Sequence, residues 1–360
     1  MNATRRLHDL GQSIWLDNIT RDMLNGGVLK DYIDKLSVTG LTSNPTIFDQ
    51  AIRKSATYDA EIASHASSHS EEEVFFALAL DDLSRAAQLF YPTFERTDRV
   101  DGWVSLEVSP LLAHDTERTV AAARMLHERA RHPNLFIKIP GTSEGLQAIE
   151  EAIFAGVPVN VTLLFSDAQY VAASDAYLRG VERRIEAGLN PAVGSVASIF
   201  VSRWDAAVSG KVPAELANRL GLAVAQRTYK AYQEMLASNR FQRLANAGGR
   251  AQRLLWASTG TKDPKAPDTL YVENLATPFT VNTMPEGTLK AFADHGQVRD
   301  ALSLNGGDCE TVLAGFAKAG IDNRTLAQRL QDDGAASFVK SWTDLLDCIR
   351  SKRTAMQRAS

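Results

Sequence analysis

Asn134–Gly141 reads Asn-Leu-Phe-Ile-Lys-Ile-Pro-Gly, and Val157–Ser166 reads Val-Pro-Val-Asn-Val-Thr-Leu-Leu-Phe-Ser. Both are short runs rich in β-branched and aromatic residues, and Glu144–Ala155 between them suits a crossover helix. Strand, helix and strand in that order form a βαβ unit, whose two strands lie parallel in one sheet. The alternation continues in both directions. Upstream lie Ser13–Asn18 (SIWLDN), Val38–Pro45 (VTGLTSNP) and Gly102–Pro110 (GWVSLEVSP). Downstream lie Gly194–Ser202 (GSVASIFVS), Arg253–Thr259 (RLLWAST) and Asp268–Asn274 (DTLYVEN). The segments Arg21–Leu36, Glu71–Leu89, Thr116–Arg131, Asp167–Ala187, Pro213–Leu236 and, after the last run, Glu286–Asp294 read as further helices. Eight βα units predict an α/β chain folded as one (β/α)8 TIM barrel domain over roughly residues 12–300, near the ~250 residues typical of that fold.

The remaining length lies in two places. Residues 46–70 read as extra helix and loop after the second strand, with a polar hinge at Ser64–Ser70. Residues 308–350 read as a C-terminal helical extension, and the basic end, Arg350–Ser360, as a frayed tail. No Pro- or Ser-rich linker divides the chain, so 1–360 is read as a single domain.

Composition narrows the function. Lys+Arg number 39 and Asp+Glu 43, a formal net charge of −4, and 44% of residues are apolar. Nucleic-acid binders concentrate positive charge, so nucleic acid is not expected as a partner. The longest apolar run, Val74–Leu80, is far short of the ~20 residues needed to span a membrane, and the N-terminus has no apolar signal region. The two cysteines, Cys309 and Cys348, form no CxxC and are too few for a disulfide framework. The reading is a soluble, cytoplasmic protein, monomer or homodimer.

Strands buried on both faces should read as nearly continuous apolar runs. Here polar residues recur at period two. Ser105, Glu107 and Ser109 share a face, as do Asn160 and Thr162, Thr42 and Asn44, and Ser198, Phe200 and Ser202. Trp15 pairs in this way with Asp17, and Trp256 with Ser258. Lys138 stands in the otherwise apolar Phe136–Pro140. In a barrel the apolar face packs on the helices, so the polar face points to the axis, at the strand ends where such folds build active sites. A lone Ser or Thr in a strand is more often a packing residue, and an Asp at a strand end can simply cap the next helix. A Lys or Glu inside a buried strand is different, because an unpaired buried charge is costly.

The chemistry of this set is specific. A lysine in a dry site loses its charge more readily and becomes a nucleophile toward carbonyls, able to form a Schiff base. Asp17 and Glu107 supply carboxylates for proton transfer when a C–C bond beside a hydroxyl is made or broken. Thr42, Asn44, Asn160, Thr162 and Ser198 offer hydrogen bonds to substrate hydroxyls. Arg203 and Lys262, after the sixth and seventh strands, suit a phosphate, which barrels often bind near their last strands. Other readings lack support. His65 and His69 stand at i,i+4 without the glutamate of HExxH, so no metal is expected. Gly141–Gly145 and Gly260–Lys262 match neither GxGxxG nor the P-loop spacing, so no nucleotide cofactor is expected either. Val74, Phe75 and Leu78 read as helix core, and Glu71-Glu72-Glu73 as a solvated helix start.

The segments WLDNI, TGLTSNPTIF, SLEVSP, LFIKIPGTSEGLQAI, VNVTLLFS, SIFVSRWD, LLWASTGTKDP and TPFTVNTMPEGTLKAF resemble the transaldolase family, lysine-dependent class I enzymes of the pentose phosphate pathway. The length of the chain is similar to the subfamily found in actinobacteria and some other bacteria. The resemblance implies a Schiff base on Lys138, acid/base work by Asp17, and Glu107 acting through a water that Thr162 also holds. It implies that Thr42, Asn44, Asn160 and Ser198 orient substrate and water, and that Phe200 lines the substrate site. Arg203 and Ser258 would bind the phosphate. Many members carry an arginine where Gly260 stands here, so Lys262 is expected to make the second phosphate contact. The activity implied is transfer of a dihydroxyacetone unit from a ketose phosphate (sedoheptulose 7-phosphate or fructose 6-phosphate) to an aldose phosphate (glyceraldehyde 3-phosphate or erythrose 4-phosphate), without a cofactor. The alternative is a C–C lyase like the small fructose-6-phosphate aldolases, which tend to have Gln and Tyr where Glu107 and Phe200 stand. A non-catalytic sugar-phosphate-binding barrel is the rival from another class.

Overall fold

The structure, a computed structural model, describes residues 2–65 and 69–359, with side chains described through residue 357. Eight parallel strands close into a barrel in sequence order, the first hydrogen-bonded to the last. They are β1 (Ser13–Asp17), β2 (Val38–Thr42), β3 (Val104–Glu107), β4 (Leu135–Pro140), β5 (Val159–Leu164), β6 (Ser195–Phe200), β7 (Gln252–Ala257) and β8 (Val281–Met284). The helices that matter for the site are α1 (Val28–Leu36), α2 (Pro45–Lys54), α3 (Glu71–Arg96), α4 (Thr116–Ala130), α5 (Ser143–Phe154), α6 (Asp167–Glu186), α7 (Leu220–Ala237), α8 (Glu286–His295), α9 (Cys309–Lys318) and α10 (Asn323–Ala359).

Seven of the expected strands lie where the sequence places them; the eighth does not. Asp268–Asn274 contains a short helix, Leu270–Asn274, and the eighth strand is Val281–Met284. A short apolar run does not distinguish a buried helical turn from a strand. Here the buried Tyr271 hydroxyl donates to Asp205 and Thr269 donates to Glu273, contacts made from a helical turn. The expected helix 21–36 is two helices, Arg21–Asn25 and α1, parted by Gly26 and by Gly27 at φ +73°, a left-handed position open to glycine.

Residues 46–70 do hold extra helix, α2 and Asp59–Ser64. Part of the expected hinge at Ser64–Ser70 lies outside the described residues. At its end Ser70 and Glu73 form a reciprocal capping box that starts α3. Of the basic tail expected at Arg350–Ser360, the last residue lies outside the described residues. Helix α10 runs to Ala359, and its last turns are held by opposite charge: Lys352 reaches Asp59 at 2.6 Å, while Arg353 and Arg350 reach Glu71 at 2.7 and 3.5 Å. Glu71 is therefore paired and not merely solvated.

The core has two parts. Val104, Leu106, Ile137, Ile139, Val159, Val161 and Leu254 belong to the large cluster between strands and helices. Trp15, Phe136, Val196, Leu255 and Val281, the inward-facing strand residues, belong to a second cluster that also takes in residues of α7, α9 and α10. Beneath them the N-terminal end is closed by a hydrogen-bonded polar group. Asp101 accepts from the Ser13 hydroxyl (2.5 Å) and from Trp15 Nε1 (2.8 Å), and Arg253 donates to Ser13 Oγ (2.7 Å). Among the described residues no helix is long and apolar enough to cross a membrane.

Candidate active site

One pleat above the apolar plug the inward face changes character. Two residues after Trp15, Phe136, Val196, Leu255 and Val281 come Asp17, Lys138, Ser198, Ala257 and Thr283, and all five line one cavity of about 200 Å³ at the C-terminal mouth. Thr42, Asn44, Thr162, Phe200, Arg203, Ser258 and Lys262 complete the expected part of its wall.

The register sets the charged centre. Glu107 on β3 is opposite Lys138 on β4, which is opposite Asn160 on β5. Lys138 Nζ lies 3.2 Å from Glu107 Oε2 and donates to the Ser43 carbonyl at 3.0 Å. Lys138 and Glu107 are each 5% exposed. Burial is the largest influence on both carboxyls and pushes each above its ordinary value. Lys138 opposes it at both, and the Thr42 hydrogen bond and Lys262 also oppose it at Asp17. Carboxyls raised in this way hold a proton more readily than ordinary ones, which suits them to passing it on.

The neutral groups are ordered by one another. Thr42 Oγ1 donates to Asp17 at 2.7 Å and lies 2.7 Å from Thr283 Oγ1. Asp17 is therefore no helix cap; Thr20 caps the helix that follows. The carbonyl oxygen of Asn44 accepts from Ile47 N–H and caps α2, which leaves its amide nitrogen for the cavity. Asn160 is fully buried, donating to Ser105 Oγ (3.1 Å) and accepting from Ser198 Oγ (2.7 Å). Thr162 lines the cavity, and its buried Oγ1 has no hydrogen-bond partner among the described residues.

Two cations stand at the rim. Arg203 lies on the short helix Ser202–Val208. Buried Asp205 anchors that helix by accepting from the Leu220 and Gly221 N–H groups and from the Tyr271 hydroxyl. Lys262 lies in the loop after β7 and lines the same wall. Among the described residues neither has a carboxylate within ion-pair distance, so their charge is available to an anion.

Ten of the twelve expected side chains thus meet around one cavity. Glu107 and Asn160 do not line it; they lie behind Lys138 and Ser198 as their partners. The expected pairing of Trp256 with Ser258 on the inner face is wrong. Trp256 packs outward, and Leu255 and Ala257 point in. Ser258 reaches the cavity because its backbone turns left-handed (φ +55°), which ends the alternation. Ser202 likewise begins a helix, meeting Ser258 Oγ at 2.9 Å. The sequence reading missed Thr46, Ile47, Ala257, Thr283, Pro285 and Phe338. Thr283 was within reach, since Val281 and Thr283 alternate just before Pro285.

A closed (β/α)8 barrel with a buried amine beside one carboxyl and sharing its cavity with a second, together with two cations that have no ion-pair partner among the described residues, is the architecture of a lysine-dependent enzyme acting on anionic carbonyl compounds. The chain belongs to the transaldolase/fructose-6-phosphate aldolase family, whose model matches residues 14–349. It is 45% identical to a transaldolase of Thermobifida fusca, with 98% of each chain covered. It is 46% identical to one of Acidothermus cellulolyticus (94% of each) and 44% identical to one of a Parafrankia species (95% of each).

Proposed function

We propose that this chain catalyses the transaldolase reaction, moving a dihydroxyacetone unit from a ketose phosphate to an aldose phosphate. Sedoheptulose 7-phosphate or fructose 6-phosphate serves as donor, and glyceraldehyde 3-phosphate or erythrose 4-phosphate as acceptor. The observation that carries the reading is Lys138 Nζ at the cavity, 3.2 Å from Glu107 and sharing the floor with Asp17. The amine adds to the donor ketone, and the carbinolamine loses water to give the imine. Glu107 holds and returns the proton in that exchange, with Thr162 Oγ1 bonding the departing water. Asp17 then takes the proton of the hydroxyl beside the breaking C–C bond. The aldose phosphate leaves, and the bond electrons stay on the nitrogen-bound three carbons as an enamine. Attack on the acceptor aldehyde and hydrolysis of the new imine reverse these steps. Arg203, Lys262 and Ser258 hold the phosphate, Thr42, Asn44 and Ser198 orient hydroxyls and water, Asn160 fixes Ser198 from behind, and Phe200 supplies an apolar wall.

Reduction by borohydride in the presence of fructose 6-phosphate is expected to leave a three-carbon fragment on Lys138. An unmodified Lys138, where a control aldolase is trapped, would overturn the reading. Free dihydroxyacetone without an acceptor would instead identify a simple aldolase. The proposal places the enzyme in the cytoplasm as a monomer or homodimer; Cys309 and Cys348, buried and unpaired, are consistent with a reducing compartment.

A further inference from the structure

Helix α10 brings a wall of the active site from the far end of the chain. Its inward stripe includes Gln331, Gly334, Phe338 and Ser341, spaced at three and four residues. Gln331 Nε2 donates to the carbonyls of Gly141 (3.0 Å) and Leu163 (2.9 Å), which follow the end of β4 and Thr162. Leu163 is left-handed (φ +58°), at a break in the β5–β6 register, and Gln331 satisfies its carbonyl there. At Gly334 a Cβ would lie 3.0 Å from Leu163 Cδ2, so the helix sits close on the strand end. Further along, Thr46 Oγ1 donates to Ser341 Oγ at 2.8 Å, which ties α10 to the start of α2. Between these ties Phe338, 5% exposed, faces the cavity that Lys138 lines and joins the apolar cluster of Phe165 and Phe200.

We infer that Phe338 is a specificity-determining residue: with Phe200 it forms an apolar wall that keeps water from the three-carbon enamine on Lys138. The inference rests on the function proposed above. The enamine has two exits. In transfer, its carbon attacks an aldehyde. In release, that carbon takes a proton to give the imine. One water then adds, the carbinolamine expels the amine, and the net change is enamine plus water to dihydroxyacetone plus free lysine. Both exits need hydrolysis of an imine, but only release needs a proton delivered to carbon before an acceptor has bound. An aromatic ring that excludes water at that stage favours transfer.

The test compares the full chain with Phe338→Ala and Phe338→Leu. Fructose 6-phosphate is the donor, with and without saturating erythrose 4-phosphate, and the readout is the ratio of dihydroxyacetone released to sedoheptulose 7-phosphate formed. The expected result is a tenfold or greater rise in that ratio for Phe338→Ala and a smaller rise for Phe338→Leu. Lys352→Ala, which loosens α10 far from the cavity, should keep the parental ratio. If the alanine variant does not fold, the leucine variant decides. A ratio within twofold of the parent in the folded variants, or an equal rise in Lys352→Ala, overturns the inference. A parent that transfers and is trapped on Lys138 while the variants leave the ratio unchanged refutes the role of Phe338 alone. A parent that neither transfers nor is trapped refutes the function, and the inference falls with it.

Discussion

Asp17→Asn separates what the site gains from what the fold loses. The substitution is isosteric, and the Thr42 hydroxyl, now 2.7 Å from a carboxylate oxygen, can donate equally to an amide oxygen. What disappears is the proton acceptor proposed above. Removing a positioned general base costs roughly 10²–10⁴ in rate, or about 3–5.5 kcal/mol in barrier at ~1.4 kcal/mol per tenfold. The imine can still form on Lys138, but the C–C bond does not break at a useful rate. Borohydride should therefore trap the whole donor carbon chain and not a three-carbon fragment. Stability should move the other way. Burial raises the Asp17 carboxyl above its ordinary value of 3.8, so the folded state holds this proton more tightly than the unfolded chain. The favourable contribution is full below 3.8, is lost as pH rises through the folded-state value, and stays lost above it. As pH rises from 4 to 8 the parent loses this contribution and the variant, with no group to titrate, does not, so the variant should gain on its parent by on the order of 1 kcal/mol. Urea unfolding at both pH values and mass spectrometry of the trapped protein give the readouts. A variant that does not gain on its parent between pH 4 and 8, one trapped with only three carbons, or one retaining more than a tenth of the transfer rate would refute the reasoning.

Arg203→Ala should raise KM for phosphorylated donors by about 10–100-fold, the scale of one charged hydrogen bond. KM for unphosphorylated fructose should be unchanged, and equal losses on both would contradict a phosphate role. Gly145→Ala would set a Cβ 1.9 Å from the carbonyl oxygen of Pro140, two residues beyond Lys138. It should lower stability by about 1–3 kcal/mol or more and reduce transfer, and a parental melting temperature would show that the strand end yields freely. Lys352→Ala removes a 2.6 Å ion pair with Asp59 and a hydrogen bond to the Ser55 carbonyl. Calorimetry should show a loss of about 0.5–1 kcal/mol that shrinks in high salt, with transfer unaffected.

The legible parts of this chain are those where local pattern and tertiary environment agree. Lys138 and Glu107 were readable because a charge inside a buried strand has few structural explanations. Asn160 and Thr162 were readable because period two survives along most of β5. The pattern failed where the backbone leaves the pleat. At Ser258 a left-handed residue turns a side chain into the mouth, and counting back by twos from it assigns Trp256 to the wrong face. The eighth strand was hidden by its four-residue length, whereas Leu270-Tyr271-Val272 carries stronger β-formers that tertiary contacts hold in a helical turn. Phe338 carries no local signal. On an amphipathic helix it reads as one more core position, and only the path of α10 across the mouth makes it part of the site.

That path has a consequence for how the protein is born. The cylinder of strands cannot seal until Met284 has emerged from the ribosome, because β8 pairs with both β1 and β7. Its roof arrives only with residue 338. At about 5–20 residues per second, translation leaves several seconds between the two events. During that interval the amine proposed above as the nucleophile stands in a sealed barrel without the wall that Phe338 supplies.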